Sequence, residues 1–257
     1  VSGLAAYDGH PEMSIGNAFG SNILNIGLVL GVTAIILPIT VEKSVLKKEW
    51  LFLFLSTLIV GFLLLDGFLS FTDGLILLSL LILFLINVFR ESKKNSLTDS
   101  DSLEINSQKN EKGRIWLLLI VSLIILVSSA RLVVWGGTSL ALSFGVSDLI
   151  IGLTVVALGT SLPELAVSIS SALKKQHQMV IGNIIGSNLF NTLGVLAIPG
   201  LILPFQIPTE VMSRDYLFML MFTLLVLILS MRLKISRFGG FILLTALAIY
   251  LYQLFWI

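Results

Sequence analysis

The chain is a succession of apolar runs, each about as long as a helix must be to cross a bilayer. They lie near residues 13–38, 49–66, 72–90, 115–141, 148–173, 179–203, 213–231 and 238–257, and the end of one more occupies 1–7. A hydrocarbon core of roughly 30 Å takes about 20 helical residues, and within it each backbone polar group must be satisfied inside its own segment. An all-α membrane protein with eight complete spans and one stump is therefore expected. With 56% apolar and only 12% charged residues, the composition lies outside the range of soluble domains. A net charge of +1, with no basic stripe carrying interleaved aromatics, argues against a nucleic-acid partner. Cysteine is absent, which removes disulfides, thiolate metal sites and cysteine nucleophiles from consideration.

One long polar stretch, 91–113, divides the chain into halves at 1–90 and 114–257 and reads as a solvated linker. Its acids, Asp99, Asp101 and Glu104, do not follow the EF-hand spacing. Lys and Arg fall on alternate connections: Lys43, Lys47 and Lys48; Arg90 through Arg114; Lys174 and Lys175; Arg232, Lys234 and Arg237. The connections between them, 8–12, 66–73, 143–148 and 204–213, carry none. By the positive-inside rule the basic set is cytoplasmic, which leaves the carboxyl terminus outside. The first residues have neither a start methionine nor a signal-peptide pattern and read as the interior of a longer chain.

At a constant offset of 166 residues, Ile15-Gly16-Asn17-Ala18-Phe19-Gly20-Ser21-Asn22-Ile23-Leu24-Asn25 falls on Ile181-Gly182-Asn183-Ile184-Ile185-Gly186-Ser187-Asn188-Leu189-Phe190-Asn191. The glycine pairs fit close helix packing. Packing does not explain why Asn and Ser recur beside them, where lipid penalises each unsatisfied polar group. The second copy lies five spans after the first, so it crosses the membrane in the opposite sense. Inverted repeats whose polar faces meet at mid-membrane are characteristic of secondary transporters.

Glu164 lies deep inside an apolar span, where an unpaired carboxylate is costly unless protonated, paired or bound to a cation. Pro163 removes a backbone donor and is expected to free carbonyls near Gly159 and Thr160. Thr160 precedes Glu164 by one turn, and Ser161 adds a second hydroxyl. Ser187 and Asn191 share a helix face at i, i+4, as do Ser21 and Asn25. Carboxylate, hydroxyl, amide and carbonyl oxygens without His or Cys suit hard cations such as Ca²⁺ and Na⁺. The competing reading for Glu164 is a structural hydrogen bond, and for the Ser and Asn residues glue between helices. Arg131, the basic residue inside a span, reads as paired or snorkelling, with gating as the alternative.

Gly159-Thr160-Ser161-Leu162-Pro163-Glu164-Leu165 followed by the Gly182–Asn191 segment resembles the second alpha-repeat of the calcium/cation antiporter superfamily, in its bacterial sodium/calcium-exchanger-like branch. Residues 13–31 resemble the matching part of the first repeat. The resemblance implies an inverted-repeat ten-helix bundle of which this chain lacks the first helix and half of the second, placing the counterpart of Glu164 upstream of Val1. It implies that Glu164 binds the ion, that Thr160 and Ala157 contribute carbonyls, and that Ser161, Ser187, Asn191, Ser21 and Asn25 complete the sites. It also implies exchange of calcium for sodium or protons by alternating access, with the transported ions and the lipid bilayer as partners and no separate cofactor. The oligomeric state is open, a monomer being compatible. In that branch the position of Asn191 is usually Asp, so both copies here depart toward the neutral amide.

Two rival functions share the polar helix faces. An intramembrane serine protease would need a base, yet His10 and His177 fall in connections on opposite sides. A passive cation channel is more often built from rings of identical subunits than from an inverted repeat within one chain.

Overall fold

A computed structural model describes residues 1–98 and 109–256. The helices are α1 (Ser2–Tyr7), α2 (Pro11–Ile36), α3 (Lys43–Lys47), α4 (Glu49–Leu63), α5 (Phe71–Thr98), α6 (Lys109–Ser143), α7 (Asp148–Leu173), α8 (His177–Ile202), α9 (Val211–Ser230) and α10 (Arg237–Trp256). Seven of them are long and apolar enough to cross a membrane. The run expected at 49–66 forms a shorter helix, α4, with 15 residues from Glu49 to Leu63, preceded by a separate turn at Lys43–Lys47. The linker expected over 91–113 enters helix at both ends, because α5 continues to Thr98 and α6 begins at Lys109; residues 99–108 lie outside the described residues.

The repeat is visible in the backbone. In α2 the segment Asn25–Leu30 widens into a π-helical turn, and in α8 the segment Phe190–Val195 does the same. Such widened turns recur at functional positions within helices. Four two-residue strands tie the halves together: β1 (Ile39–Thr40), β2 (Phe68–Leu69), β3 (Phe205–Gln206) and β4 (Lys234–Ile235). β1 pairs antiparallel with β4 and β2 with β3. Moving the Ile39↔Ile235 pair along by the repeat offset turns it into the Leu69↔Phe205 pair, so each half contributes one strand to each clamp.

These clamps test the grouping of the loops. β1 and β4 belong to two of the basic connections, and β2 and β3 to two of the connections free of Lys and Arg. Glu42, in the same connection as β1, accepts a hydrogen bond from Gln178 beside the Lys174–Lys175 connection, joining one more basic-side segment. His10 Nδ1 donates to Asp148 Oδ2 at 2.6 Å on the other face. Each contact brings together loops that the charge pattern had assigned to one side.

The inner layer is α2, α7 and α8, with α4, α5, α9 and α10 packed around it, while α6 lies along α7. The window of α2 that would cross the membrane is 78% buried inside the protein and that of α6 only 12%. Side chains such as Phe62, Phe89, Trp135 and Trp256 point outward, as lipid-facing residues do. The close approach of α2 to α7 depends on glycine. A Cβ on Gly16 would stand 2.7 Å from the Leu149 carbonyl oxygen, and one on Gly20 would stand 2.5 Å from that of Leu153.

Candidate cation site

Where α2, α7 and the widened part of α8 meet, a cavity of about 300 Å³ is lined by Asn17, Ser21 and Asn25 from α2, Thr160, Ser161 and Glu164 from α7, and Asn191 from α8. The i, i+4, i+8 spacing of Asn17, Ser21 and Asn25 keeps all three on one helix face. Six of the eight expected site residues therefore converge. The other two sit one layer behind. Ser187 donates to Glu164 Oε1 at 3.4 Å, and the Ala157 carbonyl accepts from the Thr160 hydroxyl at 3.1 Å.

The α2–α7 seam is held by a small polar network. Asn17 Oδ1 accepts from Ser21 and from Thr160, each at 3.1 Å, and the two hydroxyls lie 3.0 Å apart. Asn17 Nδ2 donates to Ser2 Oγ at 2.6 Å, and at the repeat-related place Asn183 Nδ2 donates to Ser168 Oγ at 3.0 Å. Asn183 also donates to the backbone oxygen of Glu164 at 3.1 Å, which fixes α8 against α7 beside the carboxylate. Pro163 does not interrupt α7, which stays helical from Ala157 to Leu173 with its widened turn upstream at Gly152–Val156. Proline still removes the N–H that would bond the Gly159 carbonyl, so the helix loses one hydrogen bond without losing its path.

What distinguishes the cavity is its unpaired oxygen atoms. Glu164 Oε2, Asn25 Oδ1 and Ser161 Oγ are buried and have no hydrogen-bond partner among the described residues. Buried acceptors are nearly always satisfied, because leaving one bare costs about 1–3 kcal/mol. Three on the wall of one cavity form an oxygen-rich cradle of the kind that hard cations replace their hydration shells with. Among the described residues no group of three His, Asp or Glu side chains could hold a metal, and Glu164 is the carboxylate among those named on the cavity wall.

Asn17 was missed by the sequence reading, although its i−4 spacing from Ser21 was available. Asn22 and Asn188 were also missed, and no local pattern separates them from packing residues. Asn22 Nδ2 donates to Thr192 Oγ1 at 2.7 Å and to Met219 Sδ at 3.3 Å, and Asn25 Nδ2 donates to Asn188 Oδ1 at 3.0 Å. Glu164 is not alone as a deep carboxylate: Asp215, near the start of α9, is fully buried. It is neutralised by Arg214, whose Nε and Nη2 donate at 2.9 and 3.2 Å, and by the Tyr250 hydroxyl at 3.1 Å. Neither histidine lines the cavity.

A family model described as sodium/calcium exchanger protein matches residues 1–90 and 114–256. This chain belongs to the sodium/calcium exchanger family. It is 40% identical over 262 residues to a protein named CaxA of Alkalimonas amylolytica, a match that spans 99% of this chain and 82% of that one. It is 37% identical to the inner membrane protein YrbG of Escherichia coli (strain K12), over 100% of this chain and 81% of the relative. The solved structure of the sodium-calcium exchanger NCX_Mj soaked with 10 mM Na⁺ and zero Ca²⁺ superposes with a TM-score of 0.77 at 38% identity, spanning 98% of this chain and 80% of that one. Sodium/calcium exchanger proteins are integral membrane transporters, not enzymes, which disposes of the protease alternative.

Proposed function

We propose that this member of the sodium/calcium exchanger family exchanges Ca²⁺ for Na⁺ or H⁺ by alternating access, using the cavity between α2, α7 and α8 as the cation site. The observation that carries the reading is the convergence of Glu164 Oε2, Ser161 Oγ and Asn25 Oδ1, buried and without hydrogen-bond partners among the described residues, from two halves of an inverted repeat. Glu164 supplies the charge that offsets ion dehydration; Ser161, Asn25, Asn191, Ser21 and the Thr160 region supply neutral oxygens. Ser187 orients the Glu164 carboxylate, and the Ala157 carbonyl orients the Thr160 hydroxyl. Two inversely oriented halves allow one site to be opened to either side in turn. The charge pattern supports placing the basic loops in the cytoplasm and the carboxyl terminus outside, and the name of the E. coli relative supports an inner membrane.

The test is ⁴⁵Ca²⁺ uptake into proteoliposomes with an outward Na⁺ or H⁺ gradient, for the wild type and Glu164→Gln. Gradient-driven uptake in the wild type and its loss in Glu164→Gln, with reconstitution unchanged, is the expected result. Uptake that runs only down the Ca²⁺ gradient would indicate a passive cation channel. Undiminished exchange by Glu164→Gln would move the site elsewhere.

A further inference from the structure

A second correspondence at the 166-residue offset lies outside the cation site. Lys48-Glu49-Trp50-Leu51-Phe52 falls on Arg214-Asp215-Tyr216-Leu217-Phe218, in each copy a cation, a carboxylate, an aromatic ring, Leu and Phe. Each copy stands at the start of its helix, α4 or α9. β1, just before the first copy, pairs with β4, and β3, just before the second, pairs with β2, so the copies lie at opposite ends of the bundle. What the two ends of a membrane bundle share is a layer of lipid headgroups.

Between the start of α9 and the end of α10 lies a pocket of about 370 Å³, lined by Glu210, Ser213, Arg214, Leu217, Phe218 and Gln253. Its depth is marked on both helices. Arg214 belongs to the first turn of the α9 span, about 5 Å from its start. On α10, beside Gln253, the exposed rings of Tyr252 and Trp256 stack with centroids 6.4 Å apart. Exposed Tyr and Trp at the end of a span settle at headgroup level.

The lining carries both signs of charge. Two of the five N–H groups of Arg214 go to Asp215, from Nε at 2.9 Å and Nη2 at 3.2 Å. The Arg214 side chain keeps 19% exposure, so donors remain for an acceptor in the pocket. Ser213 gives its proton to the Thr209 carbonyl at 2.9 Å, which leaves its hydroxyl oxygen as an acceptor. Glu210 is an exposed carboxylate, bonded to the Thr209 hydroxyl at 3.4 Å, and acts electrostatically on both Arg214 and Asp215. These three charges sum to a single negative one, which repels a free anion. A lone cation would leave the Arg214 donors unused.

We propose that this pocket holds the headgroup of a phospholipid bearing a primary amine. Its phosphate sits on Arg214, its ammonium between Glu210 and Ser213, and the first carbons of its chains against Leu217 and Phe218. Guanidinium N–H groups match phosphate oxygens in geometry and charge. A primary ammonium brings three N–H donors to Glu210 and Ser213, whereas a trimethylammonium brings none. The pocket and the central cavity have no lining residue in common, so this lipid site stands or falls apart from the cation site.

The test is lipid retention by the purified protein, read by native mass spectrometry in detergent. The probes are ethanolamine-, choline- and glycerol-headgroup phospholipids with identical acyl chains, and inorganic phosphate as competitor. Wild type is expected to hold the ethanolamine lipid about three-fold tighter than the choline lipid, the order of one partly exposed ion pair, and tighter than the anionic glycerol lipid. Glu210→Gln should erase the preference for ethanolamine over choline, and Arg214→Lys should weaken the hold on both. Glu210→Gln decides the matter even if Arg214→Lys fails to fold, because it leaves the Arg214–Asp215 pair in place. Equal retention of ethanolamine and choline lipids by wild type, or a preference unchanged in Glu210→Gln, would overturn the proposal. So would tighter retention of the glycerol lipid, or displacement of the lipid by inorganic phosphate, the marks of a site for a bare anion.

Discussion

Asn25 donates its side-chain amide to the side-chain oxygen of Asn188 at 3.0 Å, and this bond between the two repeats leaves Asn25 Oδ1 buried without a donor. The oxygen is thereby presented to the cavity instead of being free to exchange places with the amide nitrogen. Asn188→Leu is expected to release that orientation. Apparent Ca²⁺ affinity should fall about ten-fold and stability by about 1–3 kcal/mol, the cost of a buried polar group losing its partner. Ca²⁺-dependent flux and thermal unfolding in detergent measure the two. Unchanged affinity together with lowered stability would show that Asn188 only glues helices.

Asn191 lines the cavity, whereas Asn188 is 1% exposed and turned toward Asn25. Asn191→Asp adds a negative charge where a cation can meet it, so it should shift ion selectivity toward divalent ions by about ten-fold or less, with folding preserved. Asn188→Asp places a charge where only an amide donor faces it and should instead lower stability by several kcal/mol. Competition between Na⁺ and Ca²⁺ in flux assays separates the two, and equal selectivity changes would contradict this placement.

The close approach of α2 to α7 at Gly20 gives a prediction without reference to ions. Gly20→Ala puts a methyl group 2.5 Å from the Leu153 carbonyl oxygen and 2.8 Å from Ala157 Cβ. Neither backbone can yield cheaply, and a loss of about 1–3 kcal/mol is expected from forced overpacking. Melting temperatures of the wild type and Gly20→Ala decide it; an unchanged melting temperature would mean that α2 and α7 can part at Gly20 without cost.

The Arg214–Asp215–Tyr250 cluster joins α9 to α10 away from the cavity. Removing one charge strands the other in an apolar setting, so Arg214→Met and Asp215→Leu should each cost about 3–5 kcal/mol, while the double variant recovers most of it. Cation affinity measured on the folded fraction should not change. A double variant no better than either single one would show that the pair is held for another reason.

The linear sequence determined what depends on neighbours along the chain. Hydropathy placed the spans, the alternation of Lys and Arg grouped the loops that β1–β4, β2–β3 and His10–Asp148 later joined, and the 166-residue repeat with Glu164 marked the polar faces. Spacing of i, i+4 put Ser21 and Asn25 on one face, since that periodicity is a property of a single helix. Tertiary structure alone decided which atoms meet across helices. Ser21 and Thr160 are 139 residues apart, and Asn25 and Asn188 are 163 apart. Whether Asn17 joins the site, whether Asp215 is neutralised and which backbone Gly16 and Gly20 meet all depend on where one helix crosses another. A crossing is set by side chains filling grooves on two surfaces at once, and no local pattern in either segment encodes it.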